Sequence, residues 1–315
     1  MNKKALLFCF FLLTASLFGL DFYWSNWVKK QTSEKQIWIL SKTNQHYNLA
    51  FIGASVVFTG IDIDTIEKRT KKTAINLGCD GAALMENYIV LKNFLQANNK
   101  IDTLYLQLDK GALMDMNKAF SYPFHDYLFL DKINDSDMKE AIIKSKGYLK
   151  YLCWNYLPDF KYAEFNNFYY PHIPFVIDRS APVIDLNITH GSLLHDIRMP
   201  DGKAKNKYLK CDDKFEVDTT SIYYLNKILA LCKQDNIKCV FFKTPVYYPY
   251  YNSLESSTIV ANYIESFLNK RKCRFVDFQL LEMTKNEKYF KDDVHLNKDG
   301  AKLFSGFLAD SLIRK

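Results

Sequence analysis

Glycine and proline are scarce in this chain. Eleven Gly and eight Pro among 315 residues argue against a low-complexity or mainly disordered polymer. Metal-ligand spacing is missing as well. There is no Cys-x-x-Cys, and the six His are dispersed, so no zinc site can be read from the pattern. No internal repeat is present, which sets aside solenoids and propellers. A nucleic-acid motif is also lacking. The formal charge is +7 and the pI is about 8.8, but the basic residues are scattered, in pairs such as Lys29-Lys30 and Lys71-Lys72. That distribution describes a solvated surface rather than a nucleic-acid footprint.

Apolar and aromatic residues are plentiful. Hydrophobic content is 48%, with 24 Phe and 21 Tyr, enough to bury a sizeable core. The length suits one large α/β domain with an insertion, or two domains. At the N-terminus, Lys3-Lys4 precede an uncharged run from Ala5 to Leu20, a positive segment followed by an apolar one. Thr14-Ala15-Ser16 supply small residues for signal cleavage. Against cleavage, Leu17-Phe18-Gly19-Leu20 continue the run, and Tyr23, Trp24 and Trp27 form an interfacial aromatic belt. The reading is an uncleaved signal anchor over residues 1–24. The chain would then be single-pass in the cell membrane, with its domain outside the cytoplasm. A cleaved signal peptide, leaving a periplasmic or secreted protein, is the alternative. Of seven cysteines, Cys9 lies in the apolar run. The others are able to form disulfides in an exported chain, although Cys239 and Cys273 fall in or beside expected core strands and suit buried thiols.

Residues 25–46 read as a stalk or leading helix, and 47–315 as the main domain. Short apolar strands are expected at Leu49–Ile52, Ala74–Leu77, Leu104–Leu108, Lys238–Phe242 and Phe275–Phe278. Helical spacing is expected over Ala82–Gln96, Ile222–Cys232, Ile259–Leu268 and Lys298–Leu312. Strands alternating with helices predict a mainly parallel sheet covered on both faces. The pattern breaks at about 111–218, where Tyr122-Pro-Phe-His-Asp-Tyr127 and Tyr162–Phe175 are dense in aromatics. This is read as an insertion or cap after strand three, either a sugar-facing surface or a second small core.

Two stretches carry chemistry. Late in the chain, Asp292 stands three residues before His295, followed by Leu296-Asn297 and Gly300-Ala301 at the start of the last helix. An Asp so placed fixes the imidazole tautomer and stabilises its protonated form, as a general base in acyl transfer requires. Early in the chain, Asn48-Leu-Ala-Phe-Ile-Gly-Ala-Ser55 is a buried strand running into a small-residue turn that presents Ser55. A serine hydroxyl needs such a base to become nucleophilic. A serine in this position also suits a helix N-cap.

An early serine after the first strand, a late Asp-x-x-His and alternating strands and helices between them resemble the SGNH (GDSL-type) hydrolase superfamily, in a divergent membrane-anchored form. The resemblance covers about 47–110 and 219–315. It implies a flavodoxin-like five-stranded parallel sheet with helices on both faces. It implies Ser55 as nucleophile, His295 as base and Asp292 as its orienter, with the Ser55 N–H and Gly81 lining the oxyanion hole and Gly78 a near alternative. The third block departs from the family. Where a Gly-x-Asn-Asp would supply an oxyanion donor, the chain reads Leu106-Gln-Leu-Asp-Lys-Gly111. An ionised Asp109 cannot donate, and a missing donor costs about 3 kcal/mol of transition-state stabilisation. Asp109 and Tyr247, the latter in the loop after strand four, are expected to face substrate. The implied activity is a serine esterase or O-acyltransferase acting on acylated surface glycans, with no metal or cofactor and no nucleic-acid partner. Its partners are a glycan or other small ester, the membrane, and, for a transferase, a multispanning acyl donor protein. The alternative is a non-catalytic glycan-binding or scaffold protein on a degenerate SGNH fold.

Overall fold

The structure is a computed structural model that describes residues 3–28, 35–113, 135–157, 185–199, 217–249 and 258–313. The aromatic stretches 122–127 and 162–175, and Cys211, lie outside the described residues. The chain divides into two compact units, Met1–Ile37 with Phe120–Val183, and Trp38–Ala119 with Ile184–Lys315.

The second unit is built on one five-stranded sheet in the order β2-β1-β3-β4-β5, the flavodoxin-like order. The strands are β1 His46–Ile52, β2 Ala74–Asn76, β3 Lys100–Gln107, β4 Lys238–Lys243 and β5 Arg274–Asp277. Every pairing is parallel. Ala50 sits opposite Ile75 on one side and Leu104 on the other, and Leu104 faces Cys239. The long strands begin exposed and end buried, as in β1, where His46 is exposed and Leu49 to Ile52 are buried, so apolar residues gather at their carboxyl ends. The expected strands are all present. β1 and β3 begin earlier than their apolar runs, because exposed polar residues, His46, Lys100 and Asp102, interrupt the hydrophobic signal at their starts.

Helices α3 Ser55–Gly60 and α4 Ile63–Thr70 link β1 to β2, and α5 Leu84–Gln96 links β2 to β3. The last helix of the chain, Lys298–Ile313, packs on α3 and α4. There Ser305 Oγ accepts the Asp62 N–H at 2.7 Å. Phe51, Phe242, Phe278, Phe290, Leu296 and Phe304 fill the core on this side. The short α6 Lys110–Leu113 follows β3. Elsewhere in the unit the helix Thr219–Gln234 packs on α5, with the Tyr88 and Tyr224 rings 5.7 Å apart. Its N-cap is Asp218, which accepts from the Thr220 and Ser221 N–H groups. Short α2 Lys35–Leu40 leads into β1, with Trp38 and Ile39 buried.

The stretch 185–199, part of the span read as an insertion, belongs to the sheet's unit. Its backbone bonds to the unit at several points. His190 O accepts from Asn76 N, Leu193 N donates to Phe58 O, and His195 O accepts from Lys298 N. Met199 N also donates to Phe290 O. These bonds replace a regular ladder, which is why no period marks the segment in sequence.

In the other unit, α1 Lys3–Val28 contains a 21-residue apolar stretch, Lys3–Tyr23, of mean hydropathy 2.1. At 1.5 Å per residue it spans roughly 31 Å, the thickness of a bilayer core. Among the described residues it is the one helix long and apolar enough to cross a membrane, and a signal sequence has the same character. Helix α7 Ser136–Lys146, capped by Asp135, ends at Gly147 with φ +88°, and α8 Tyr148–Tyr156 folds back on it. Numbered onward, the later helices are α9 Thr219–Gln234, α10 Thr258–Arg271 and α11 Lys298–Ile313.

Among the described residues six cysteines are free thiols. A hydrogen bond with the Cys232 thiol, and then burial, push the Cys239 thiol well above its ordinary range.

Candidate active site

Ser55 stands just past the buried carboxyl end of β1. Gly53 makes the turn possible, because a Cβ there would lie 2.4 Å from Gln107 Oε1 and 2.6 Å from Val57 Cγ2. Ala54, not Ser55, is the N-cap of α3, with extended φ −80° and ψ −164°. Ser55 is therefore the first helical residue, and its hydroxyl is not spent on capping. Its N–H lies in the first turn, where backbone donors have no intrahelical acceptor. Asn76 holds this helix from beneath. It is fully buried. Its Nδ2 donates to Val57 O at 2.9 Å and Phe58 O at 3.3 Å, and its Oδ1 accepts the Gly78 N–H at 2.9 Å.

His295 arrives on a loop with a precise local construction. Lys291 N donates to His295 O at 2.8 Å and Asn297 N to Tyr289 O at 3.0 Å, closing the loop like a hairpin. Asp292 Oδ1 accepts the Val294 N–H at 2.9 Å and the His295 N–H at 2.8 Å, an Asx turn. Leu296 is buried in the core. Asn297 opens α11, with its Oδ1 accepting the Gly300 N–H at 3.0 Å and its Nδ2 donating to Lys288 O at 2.7 Å. A Cβ at Gly300 would lie 2.1 Å from Tyr289 O, so only glycine lets the helix pass the loop.

These two constructions bring Ser55 Oγ to 2.7 Å from His295 Nε2. On the far side of the ring, His295 Nδ1 is 3.0 Å from both Asp292 oxygens. A carboxylate only accepts. The bonding network thus assigns the proton to Nδ1, leaving Nε2 as the acceptor for the Ser55 hydroxyl. Burial pushes the Asp292 carboxyl up. The His295 side chain and charge, with the His295 and Val294 N–H groups, outweigh that and hold it at about 2. Asp293 is raised instead, by burial and by the Asp292 charge.

The other expected residues are placed as follows. Gly81 has φ +63° in a turn closed by Ala82 N to Cys79 O, and Cys79 N donates to Gly53 O, tying that turn to the serine turn. Gly78 has given its N–H to Asn76, and a Cβ there would meet Phe58 N at 2.7 Å. Asp109 was expected to face substrate. Both its oxygens are used within the chain, Oδ1 by the Ala112 N–H at 2.9 Å and Oδ2 by Gln107 Nε2. Tyr247, in the loop after β4, lies against the loop that carries His295, its N–H donating to Asp293 O at 3.0 Å and its ring centroid 5.6 Å from Phe290.

Three residues beside the site carried no decisive sequence signal. Asn76 and Gln107 are amides at strand ends, identified only by what they bond. His195 lies on the 185–199 stretch, and Lys291 Nζ is 3.2 Å from its Nε2. Burial, Lys291 and His295 lower its pKa, and Asp292 opposes them. Among the described residues no group of three His, Cys, Asp or Glu is placed to hold a metal ion.

No protein-family model matches the chain, and no curated protein does. Among solved structures, the chain is similar to a candidate acylhydrolase from Bacteroides fragilis, with 10% identity and a TM-score of 0.38 over 90% of this chain and 97% of that one.

Proposed function

We propose that this chain is a serine-dependent acyl-ester hydrolase or O-acyltransferase of the SGNH type, acting outside the cytoplasm on acylated surface glycans. The observation that carries the chemistry is the hydrogen-bonded run from Ser55 Oγ through His295 to Asp292. As Ser55 Oγ attacks an ester carbonyl, its proton passes to His295 Nε2 and the carbonyl oxygen becomes an oxyanion. The Ser55 N–H and Gly81 are the proposed donors to that oxyanion. Asp292 stabilises the imidazolium. Collapse breaks the ester C–O bond, the departing alcohol takes the proton from His295, and an acyl-serine remains. Water or a second hydroxyl, deprotonated by His295, then releases the acyl group, which gives hydrolysis or transfer.

Helix α1 supports a site held near a membrane, where a transferase would meet a multispanning acyl donor protein. A non-catalytic glycan-binding protein is the competing reading, and the third block without asparagine favours it. The test is turnover of an aryl acetate by the wild type, Ser55→Ala, His295→Ala and the double variant. Members of one nucleophile–base unit do not add. Each single change should abolish turnover with the fold retained, and the double should be no slower. Wild-type turnover in Ser55→Ala would overturn the assignment.

A further inference from the structure

A relay of side chains runs from the end of β3 to the turn that carries Ser55. Gln107 is the last residue of β3 and is buried. Its Oε1 accepts the Ala54 N–H at 2.8 Å, one residue before the proposed nucleophile. Its Nε2 donates to Asp109 Oδ2. The other Asp109 oxygen accepts the Ala112 N–H at 2.9 Å and so anchors the carboxylate to α6. Gly53 completes the fit, since any Cβ there would sit 2.4 Å from Gln107 Oε1.

The two ends of a primary amide are nearly isosteric but opposite in hydrogen-bonding sense. Turned over, Gln107 would set Nε2 against the Ala54 N–H, donor on donor. Its Oε1 would then meet the Asp109 carboxylate, acceptor on acceptor. A buried group left unsatisfied in this way is costly. The acceptor-only carboxylate therefore fixes which way the amide points, and the amide fixes the Gly53–Ala54 peptide, one residue before Ser55. This is also a use for Asp109 that needs no substrate.

We propose that Gln107, oriented by Asp109, is the positioning residue of the nucleophile turn and sets the place of Ser55 relative to His295. The proposal rests on the reading of Ser55 as nucleophile. Gln107 acts through the backbone, not by contact with the reacting atoms. A displacement of about 1 Å at a nucleophile costs on the order of 10²-fold in rate.

The test exchanges the polarity of the pair. Asp109→Asn keeps an acceptor for the Ala112 N–H but turns an amide donor onto the Gln107 donor. Gln107→Glu sets carboxylate against carboxylate. The double variant Gln107→Glu/Asp109→Asn restores the side-chain bond with donor and acceptor swapped and keeps the Ala54 bond, because the new carboxylate accepts from Ala54 and from the new amide. Two readouts are needed, aryl acetate kinetics and hydrogen exchange of the Ala54 amide by NMR. Each single variant should lose about 10²-fold in kcat with KM within about twofold, and Ala54 protection should fall. The double variant should recover Ala54 protection and come within about tenfold of wild-type kcat. Recovered protection without recovered turnover overturns the proposal, since Gln107 would then be acting on the reacting oxygen. Equal Ala54 protection in all four proteins overturns it too. Should a single variant fail to fold, the wild type and the double variant carry the comparison alone. If the wild type lacks turnover and Ser55 resists serine-directed labelling, the catalytic reading falls. Ala54 exchange then still decides whether the relay holds the turn.

Discussion

Replacing Asp292 with Asn separates the proposed catalytic work of this residue from its structural work. Asp292 Oδ1 accepts from the Val294 and His295 backbone N–H groups at 2.9 and 2.8 Å, and an amide oxygen can do the same. The loop should therefore keep its shape, with a stability change of about 1 kcal/mol or less. The imidazole contact keeps only Oδ1, which two backbone N–H groups already occupy, while the Oδ2 place, also 3.0 Å from Nδ1, becomes an NH₂. An amide NH₂ directed at His295 Nδ1 requires Nδ1 to accept, which moves the ring proton to Nε2, opposite Ser55 Oγ at 2.7 Å. The base is then protonated where it must receive a proton. In a Ser-His-Asp triad a tautomer inversion costs about 10⁴-fold in kcat, about 5.5 kcal/mol of barrier. The assay is aryl acetate turnover with a thermal melt on the same preparation, set beside Asp293→Asn, which should keep most of its turnover. Asp292→Asn activity within tenfold of wild type, or equal loss in Asp293→Asn, refutes the assignment. The pH behaviour agrees in sign. The Asp292 carboxyl is held at about 2, below its ordinary value. Its contribution to stability is thus complete above the ordinary carboxylate range and is lost as pH falls toward 2. Any loss of turnover between pH 8 and 5 does not arise from protonation of Asp292.

Asn76→Ala should destabilise the fold by about 1–3 kcal/mol, because it orphans the buried Gly78 N–H and the Val57 carbonyl; chemical denaturation measures it, and an unchanged midpoint refutes the bracing of α3. For His195, burial, Lys291 and His295 lower the folded pKa, and Asp292 opposes them. The stability it confers is complete above the ordinary histidine value of about 6.5 and lost as pH falls below it. His195→Gln should therefore show a smaller drop in Tm between pH 7.5 and 5.5 than the wild type, and an equal or larger drop counts against it.

The sheet was legible because parallel strands buried on both faces leave unbroken apolar runs, as in Leu49–Ile52 and Cys239–Phe242. The residues of the late motif were legible because each has a local duty that dictates its type. Asp292 makes an Asx turn, Leu296 fills the core, Asn297 caps α11 and Gly300 passes Tyr289 O. Helices α3 and α4 are short, and they carry too few turns to show a period. Gln107, Asn76 and His195 were hidden for a different reason. Their partners, Ala54, Val57 and Lys291, are distant in sequence, and a buried amide or imidazole has no pattern of its own until the fold supplies the other half of each bond.

The most direct test of the central claim is covalent labelling of the wild-type chain with a serine-directed fluorophosphonate, followed by peptide mapping. On the proposed assignment Ser55 Oγ, 2.7 Å from His295 Nε2, would be activated by that base, whereas an ordinary serine hydroxyl is inert. The account predicts one adduct per chain, on Ser55, lost in His295→Ala. An unlabelled Ser55 in folded protein, or labelling that persists without His295, contradicts it.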